Sequence, residues 1–281
     1  MVDTGLQSEG QGVDAAVDAV RPIVHQRLRA VERERNLRVV FACESGSRAW
    51  GFASDDSDFD VRFIFVRPPE CYLQLNPPVD AFDLHGGDDF DLAGWDIRKA
   101  AELMRKSNSP LLEWLDSPII YERDRDVSSL LIELRDRYFD PKKSVYHYLS
   151  LAGGVWGKYI ADNPSPVRKK YLYTIRPLAC VRYIETHGTQ PPTRFESVLE
   201  QIELDSDTEE AIAGLVADKK ANRELGEGRA DAVLNKWISE TLERGERLAE
   251  SLSPSSVTNE ELDSMIATAI LGGHVLHGET T

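Results

Sequence analysis

Apolar residues recur at three- and four-residue spacing near the start of the chain: Val17, Val20, Val24 and Leu28. Arg27, Arg29, Arg33 and Arg35 fall on the polar side, so the pattern predicts an amphipathic helix over about Val13–Asn36 with a solvated basic face. The period then changes. Leu37–Cys43 is apolar and β-branched between polar flanks, which predicts a strand, and Phe59–Val66 predicts a second. Between them ESGSRAWGFASDDSD is rich in Gly, Ser and Asp and reads as a turn with room for a short helix. Arg67–Gly87 carries four prolines and little periodicity, which suits a loop or a pair of short edge strands. Asp89–Trp95 offers a third strand.

Asp96 is placed to cap the helix IRKAAELMRKS, because a short carboxylate accepts the free N–H groups of a first turn. Pro110 opens another short helix, LLEWLDS, and Ile119–Tyr121 is a candidate for a further strand. Beyond it nearly every segment has helical spacing: 126–139, 142–161, 168–186, 194–203, 208–223, 229–251 and 260–271. A mixed front and an all-helical back predict an α+β fold, a small mixed-sheet catalytic domain over 1–125 and a helical lobe over 126–281. The first dozen residues are polar and expected to fray.

Composition narrows the class. At 281 residues, 41% hydrophobic and 29% charged, the chain can bury a real core. No apolar run reaches the roughly 20 residues of a membrane span, and the N-terminus lacks the flanks of a signal peptide, so a cytoplasmic protein with no membrane contact is expected. Cys43, Cys71 and Cys180 are too scattered for a disulfide framework, and with six scattered histidines they give no structural zinc pattern. A net charge of −15 opposes broad binding to a phosphate backbone and confines any RNA contact to a local basic cleft.

The chemistry concentrates in GSRAWGFASDDSDFD, Gly46 to Asp60. Residues two apart in a strand share a face, so Asp58 and Asp60 project together while Phe59 turns to the core. Two adjacent carboxylates repel unless cations lie between them. Mg²⁺ takes oxygen ligands, commonly one or two carboxylates plus substrate phosphates, and two such ions roughly 3.5–4 Å apart can clamp an in-line phosphoryl displacement. A bare Asp-x-Asp is a common surface turn in an acidic chain. Here it follows strand, Gly46, Ser47 and Gly51, where glycine lets backbone approach a ligand and turn N–H groups bind phosphate.

These residues carry a resemblance. GSRAWG followed by SDFDVRFIF resembles the signature of the DNA polymerase β-like nucleotidyltransferases. With DLAGWDIRKAAELMRKSNSPLLEWLDSPIIY and KKYLYTIRPLACVRYIETHGTQPP, the chain resembles the RlaP or YcgL-like group, associated with RNA repair, over roughly residues 38–195. The resemblance implies an acceptor hydroxyl attacking the α-phosphorus of an NTP, ATP being the expected donor, with Mg²⁺ or Mn²⁺ held by Asp58, Asp60 and a third carboxylate. Asp91 is the choice for that third place, Asp89 shares its face, and Asp96 belongs to the group's GWD block but reads as a helix cap. It further implies that Gly46 and Ser47 hold the β- and γ-phosphates.

Arg62 lies on the face of the paired acids, to bind phosphate or to offset them, and Arg48 is expected exposed at the turn beside the phosphates. Glu44 could orient an acceptor or a loop amide. In RKKYLYTIRP, helical spacing groups Lys169, Tyr173 and Arg176, and Lys170 with Tyr173. By resemblance Lys170, Tyr173 and Arg176 are the nucleotide contacts from the helical lobe. Three readings compete: transfer to an RNA end, transfer to a small molecule or protein side chain, and a non-catalytic nucleotide-binding regulator. Paired metal carboxylates argue against the last.

Overall fold

The computed structural model describes residues 15–85, 89–221, 226–255 and 257–272. The expected fraying of the first dozen residues, the helix start at Val13 and the helix end at Arg223 lie outside the described residues. Helix α1 (Ala15–Arg35) leads into β1 (Arg38–Glu44), then α2 (Gly46–Trp50) and β2 (Phe59–Val66). The proline-rich stretch forms a one-turn helix, α3 (Pro69–Tyr72), and one edge strand, β3 (Ala81–His85), instead of a loop or two strands. β4 (Phe90–Asp96), α4 (Ile97–Arg105), α5 (Ser109–Leu115) and β5 (Ile120–Arg123) follow. From there the described residues are helical: α6 (Arg125–Arg137), α7 (Pro141–Tyr159), α8 (Lys169–His187), α9 (Phe195–Leu199), α10 (Ser206–Lys220), α11 (Ala232–Ser251) and α12 (Glu260–Leu271). Asp96 caps α4 as expected, accepting from the Arg98 amide. Among the described residues no helix is long and apolar enough to cross a membrane.

The five strands run in the order β3-β4-β2-β1-β5. β2 pairs antiparallel with β1 and parallel with β4, which puts Asp60 directly beside Asp91 and makes the sheet mixed. Strand alternation then sorts the side chains of β2. Phe59, Val61, Phe63 and Phe65 bury against Val17, Val24 and Leu28 of α1. Ile64 and Val66 join the larger core on the other face, with α4, α5, α6 and the C-terminal helices. Asp60 and Arg62 lie on that second face, at the end where the helical cover gives way to an open cavity. A bulge in β1 at Val40 keeps Val39 and Ala42 on the α1 side and Phe41 and Cys43 on the other. Trp95 and Trp114 stack at 3.7 Å between β4 and α5, so both serve packing.

Candidate active site

The cavity of about 470 Å³ at the open end of β2 is lined by Gly46, Ser47, Asp58, Asp60, Arg62 and Tyr173, with Lys169 and Lys219 reaching in from the helical half. Its floor is a turn that only glycine can make. Gly46 has φ +59°, and a Cβ there would stand 1.9 Å from Asp60 Oδ2. α2 begins at Gly46 and ends on Gly51, also left-handed at φ +87°. Asp58 is exposed and sits just before β2 rather than within it. The two-residue alternation of a strand therefore does not cover Asp58, yet both acids line the same open cavity.

Arg62 clasps the two acids of the sheet. Its Nη2 donates to Asp60 Oδ1 at 2.9 Å and to Asp91 Oδ2 at 2.8 Å, and its Nη1 donates to the Asp91 carbonyl at 2.9 Å. Burial raises the Asp60 pKa; Arg62 opposes that shift, while Asp91 and Asp58 add to it. Asp89 is exposed and lends its carbonyl to the Phe59 amide. Asp96 is committed to α4 and to the Tyr72 hydroxyl, 2.8 Å away.

Arg48 is a correction. It was expected exposed at the turn, but it is 6% exposed, lies over the Phe59 ring at 4.0 Å, and donates to the carbonyls of Ser57 and Asp58. The aromatic face and two inward carbonyls outcompete water for this guanidinium, so it braces the loop that presents Asp58. Lys219 fixes the same loop from α10 by donating to Ser54 Oγ at 2.5 Å. Of the three contacts expected from the helical half, Tyr173 lines this cavity. Lys170 and Arg176 line the neighbouring one. Lys169 also lines the first cavity, and its four-residue spacing from Tyr173 was the available signal. Lys219 had no local signal, because the chain brings it from 165 residues beyond Ser54.

Glu44 stands behind the cavity and is wholly buried. It accepts the Asp60 amide on Oε1 at 2.8 Å and the Tyr121 hydroxyl on Oε2 at 2.7 Å. Desolvation pushes its pKa from the ordinary 4.5 up to about 7, against those two hydrogen bonds. The folded chain then binds more protons than the unfolded chain between these values, so this group's contribution to stability is full below pH 4.5 and falls as pH rises to about 7. The fall is worth up to about 3 kcal/mol. Glu44→Gln keeps an acceptor for the amide and should flatten that slope, measured by urea unfolding of chelated protein across pH 4.5–8; an unchanged slope would assign it to other groups.

The donor set suits a hard divalent cation. Asp58 and Asp60 offer carboxylate oxygens to one open cavity, and the absent side chain at position 46 leaves space against Asp60 Oδ2. Among the described residues no group of three or more His, Cys, Asp or Glu side chains could hold a metal unaided, so phosphate oxygens would have to complete the shell.

Similarity to known proteins identifies the family of the chain. The profile of the family described as RlaP, RNA repair pathway DNA polymerase beta family, matches residues 20–268. This is the group that the three sequence blocks resemble. The "Uncharacterized protein YcgL" of Bacillus subtilis (strain 168) is 37% identical over 226 residues, 80% of this chain and 86% of that one. A nucleotidyltransferase-like protein from Exiguobacterium sibiricum 255-15 covers 84% of this chain and 75% of its own at 14% identity and a TM-score of 0.29.

Proposed function

Because this chain belongs to the RNA repair pathway DNA polymerase beta family, we propose that its open cavity transfers a nucleoside monophosphate from an NTP to an acceptor hydroxyl, with release of pyrophosphate. The observation that carries this reading is the convergence of Asp58, Asp60, Gly46 and Ser47 on one cavity. The Gly46–Ser47 turn offers backbone N–H groups and a hydroxyl to the β- and γ-phosphates. Lys169 and Lys219 offset the charge of the triphosphate and of the pyrophosphate that leaves. Asp58 and Asp60 would hold Mg²⁺ or Mn²⁺, which when bound lowers the pKa of the attacking hydroxyl and neutralises charge on the phosphates. Asp91 supports that pair through Arg62 and is the third carboxylate of the proposal. Tyr173 lines the cavity from α8, and in this reading 1–125 supplies the carboxylates and the phosphate turn while 126–281 supplies Lys169, Tyr173 and Lys219.

The RNA-repair family favours an RNA end as acceptor. The test supplies α-labelled NTP with Mg²⁺ or Mn²⁺ and RNA, small-molecule and protein acceptors in parallel. Label should move to RNA, and Asp58→Ala should abolish the transfer. Nucleotide binding without movement of label to any acceptor with either metal would favour a regulatory binding protein instead.

A further inference from the structure

Asp60 presents its two carboxylate oxygens to different surroundings. Oδ1 accepts from Arg62 Nη2 at 2.9 Å. Oδ2 faces the Gly46 turn, where a Cβ would stand 1.9 Å from it. On the Oδ1 side the guanidinium is tied further. Nη2 also donates to Asp91 Oδ2 at 2.8 Å, and Nη1 donates to the carbonyls of Asp91 at 2.9 Å and of Val61 at 3.2 Å. Arg62 thus lies between Asp60 and Asp91, where a second divalent ion would have to sit to be shared by the two acids. We infer that Arg62 is a permanent cation in that position, so that the catalytic cavity takes one divalent ion with each nucleotide rather than two.

The inference rests on the reading of this cavity as an NTP site. A guanidinium keeps its proton at any working pH, so the charge between the acids is fixed. Two of its acceptors are backbone carbonyls of the paired strands β2 and β4, which the sheet holds in place whatever the cavity contains. An ion that displaced Arg62 would break those bonds at a side chain only 17% exposed, and would have to offset them as well as the two carboxylate contacts. Among the described residues Arg62 lines the cavity and Asp91 does not, so the guanidinium stands between the cavity and that acid. Nor do Asp58, Asp60 and Asp91 gather into a three-acid metal site among the described residues.

Asp60 is in this way divided between two cations. Oδ1 belongs to Arg62. Oδ2 points to the side lined by Gly46, Ser47 and Asp58, where the triphosphate is proposed to lie. An ion held there by Asp58, Asp60 Oδ2 and phosphate oxygens has the ligands that Mg²⁺ prefers. Arg62 contributes a positive charge and directed N–H donors but coordinates no oxygen. Asp91 is then a positioning residue, which holds Arg62 and no metal.

Equilibrium dialysis of the full chain against Mn²⁺ and radiolabelled α,β-methylene NTPs, each of the four bases in turn, counts the ions bound per nucleotide. Electron paramagnetic resonance of the same samples reads whether two ions are neighbours. Wild type should hold about one Mn²⁺ per nucleotide, with an uncoupled spectrum. Arg62→Ala opens the place between the acids and should hold about two, with the spin-coupled spectrum of ions roughly 3.5–4 Å apart. Asp91→Asn changes almost no volume and should keep both the wild-type count and the wild-type Mn²⁺ affinity. If Arg62→Ala fails to fold, the wild-type count and Asp91→Asn decide. A coupled pair in wild type, or weaker Mn²⁺ binding in Asp91→Asn, overturns the inference. So does a folded Arg62→Ala that binds nucleotide with a single ion, because Arg62 then stands in no cation's place. If wild type binds none of the four analogues, the transferase reading of the cavity falls, and this inference with it.

Discussion

Asp60→Ala should lower the rate of nucleotidyl transfer by at least about a hundredfold, the low end for loss of a transition-state electrostatic contact. Asp60 is the half-buried acid on the central strand, at the junction of the Gly46 turn, Arg62 and Asp91. The loss should appear in single-turnover rates with labelled NTP, not only in nucleotide affinity. Stability should move little or rise, because burial holds this carboxylate at a cost and Arg62 keeps Asp91 as its partner. Thermal unfolding of the same variant separates the two readouts. A variant that folds and keeps a tenth of the activity would remove Asp60 from the chemistry.

Gly46→Ala should be nearly as damaging by a different route. Alanine at φ +59° costs roughly 1–2 kcal/mol of backbone strain. The larger effect is local: the new Cβ would stand 1.9 Å from Asp60 Oδ2, so the carboxylate must move or the turn must open. A misplacement of about 1 Å at a reacting group can cost about a hundredfold in rate. Activity should therefore fall far more than the melting temperature. Ser47→Ala in parallel removes a hydroxyl but adds no atom, and should be milder. Normal activity in Gly46→Ala would show that the turn relaxes without disturbing Asp60.

Much of this architecture was legible from local pattern. The β-branched run to Cys43, the apolar run from Phe59 and the helical spacing beyond residue 125 each have one dominant period, and each gave an element of the expected kind. Asp96 was legible as a cap because its reason is local. The segment 67–87 was not, since four prolines silence periodicity and β3 is specified by its partner β4. Arg48 was misread for a related reason. A Gly- and Ser-rich stretch reads as exposed, yet the turn folds the guanidinium back onto Phe59 and two carbonyls. The parallel register that joins Asp60 to Asp91 spans the whole excursion through β3, and Lys219 arrives from a distant helix. No window of sequence contains such contacts.

The Arg62 clasp also bears on how the chain reaches its native state. Two acids brought side by side by strand pairing would oppose the pairing itself. Here the counter-charge is built into the same strand two residues on, so it arrives together with the first acid and meets the second as the strands register. Assembly of the sheet thus carries its own neutralisation, and the strands can pair without a metal ion between the acids.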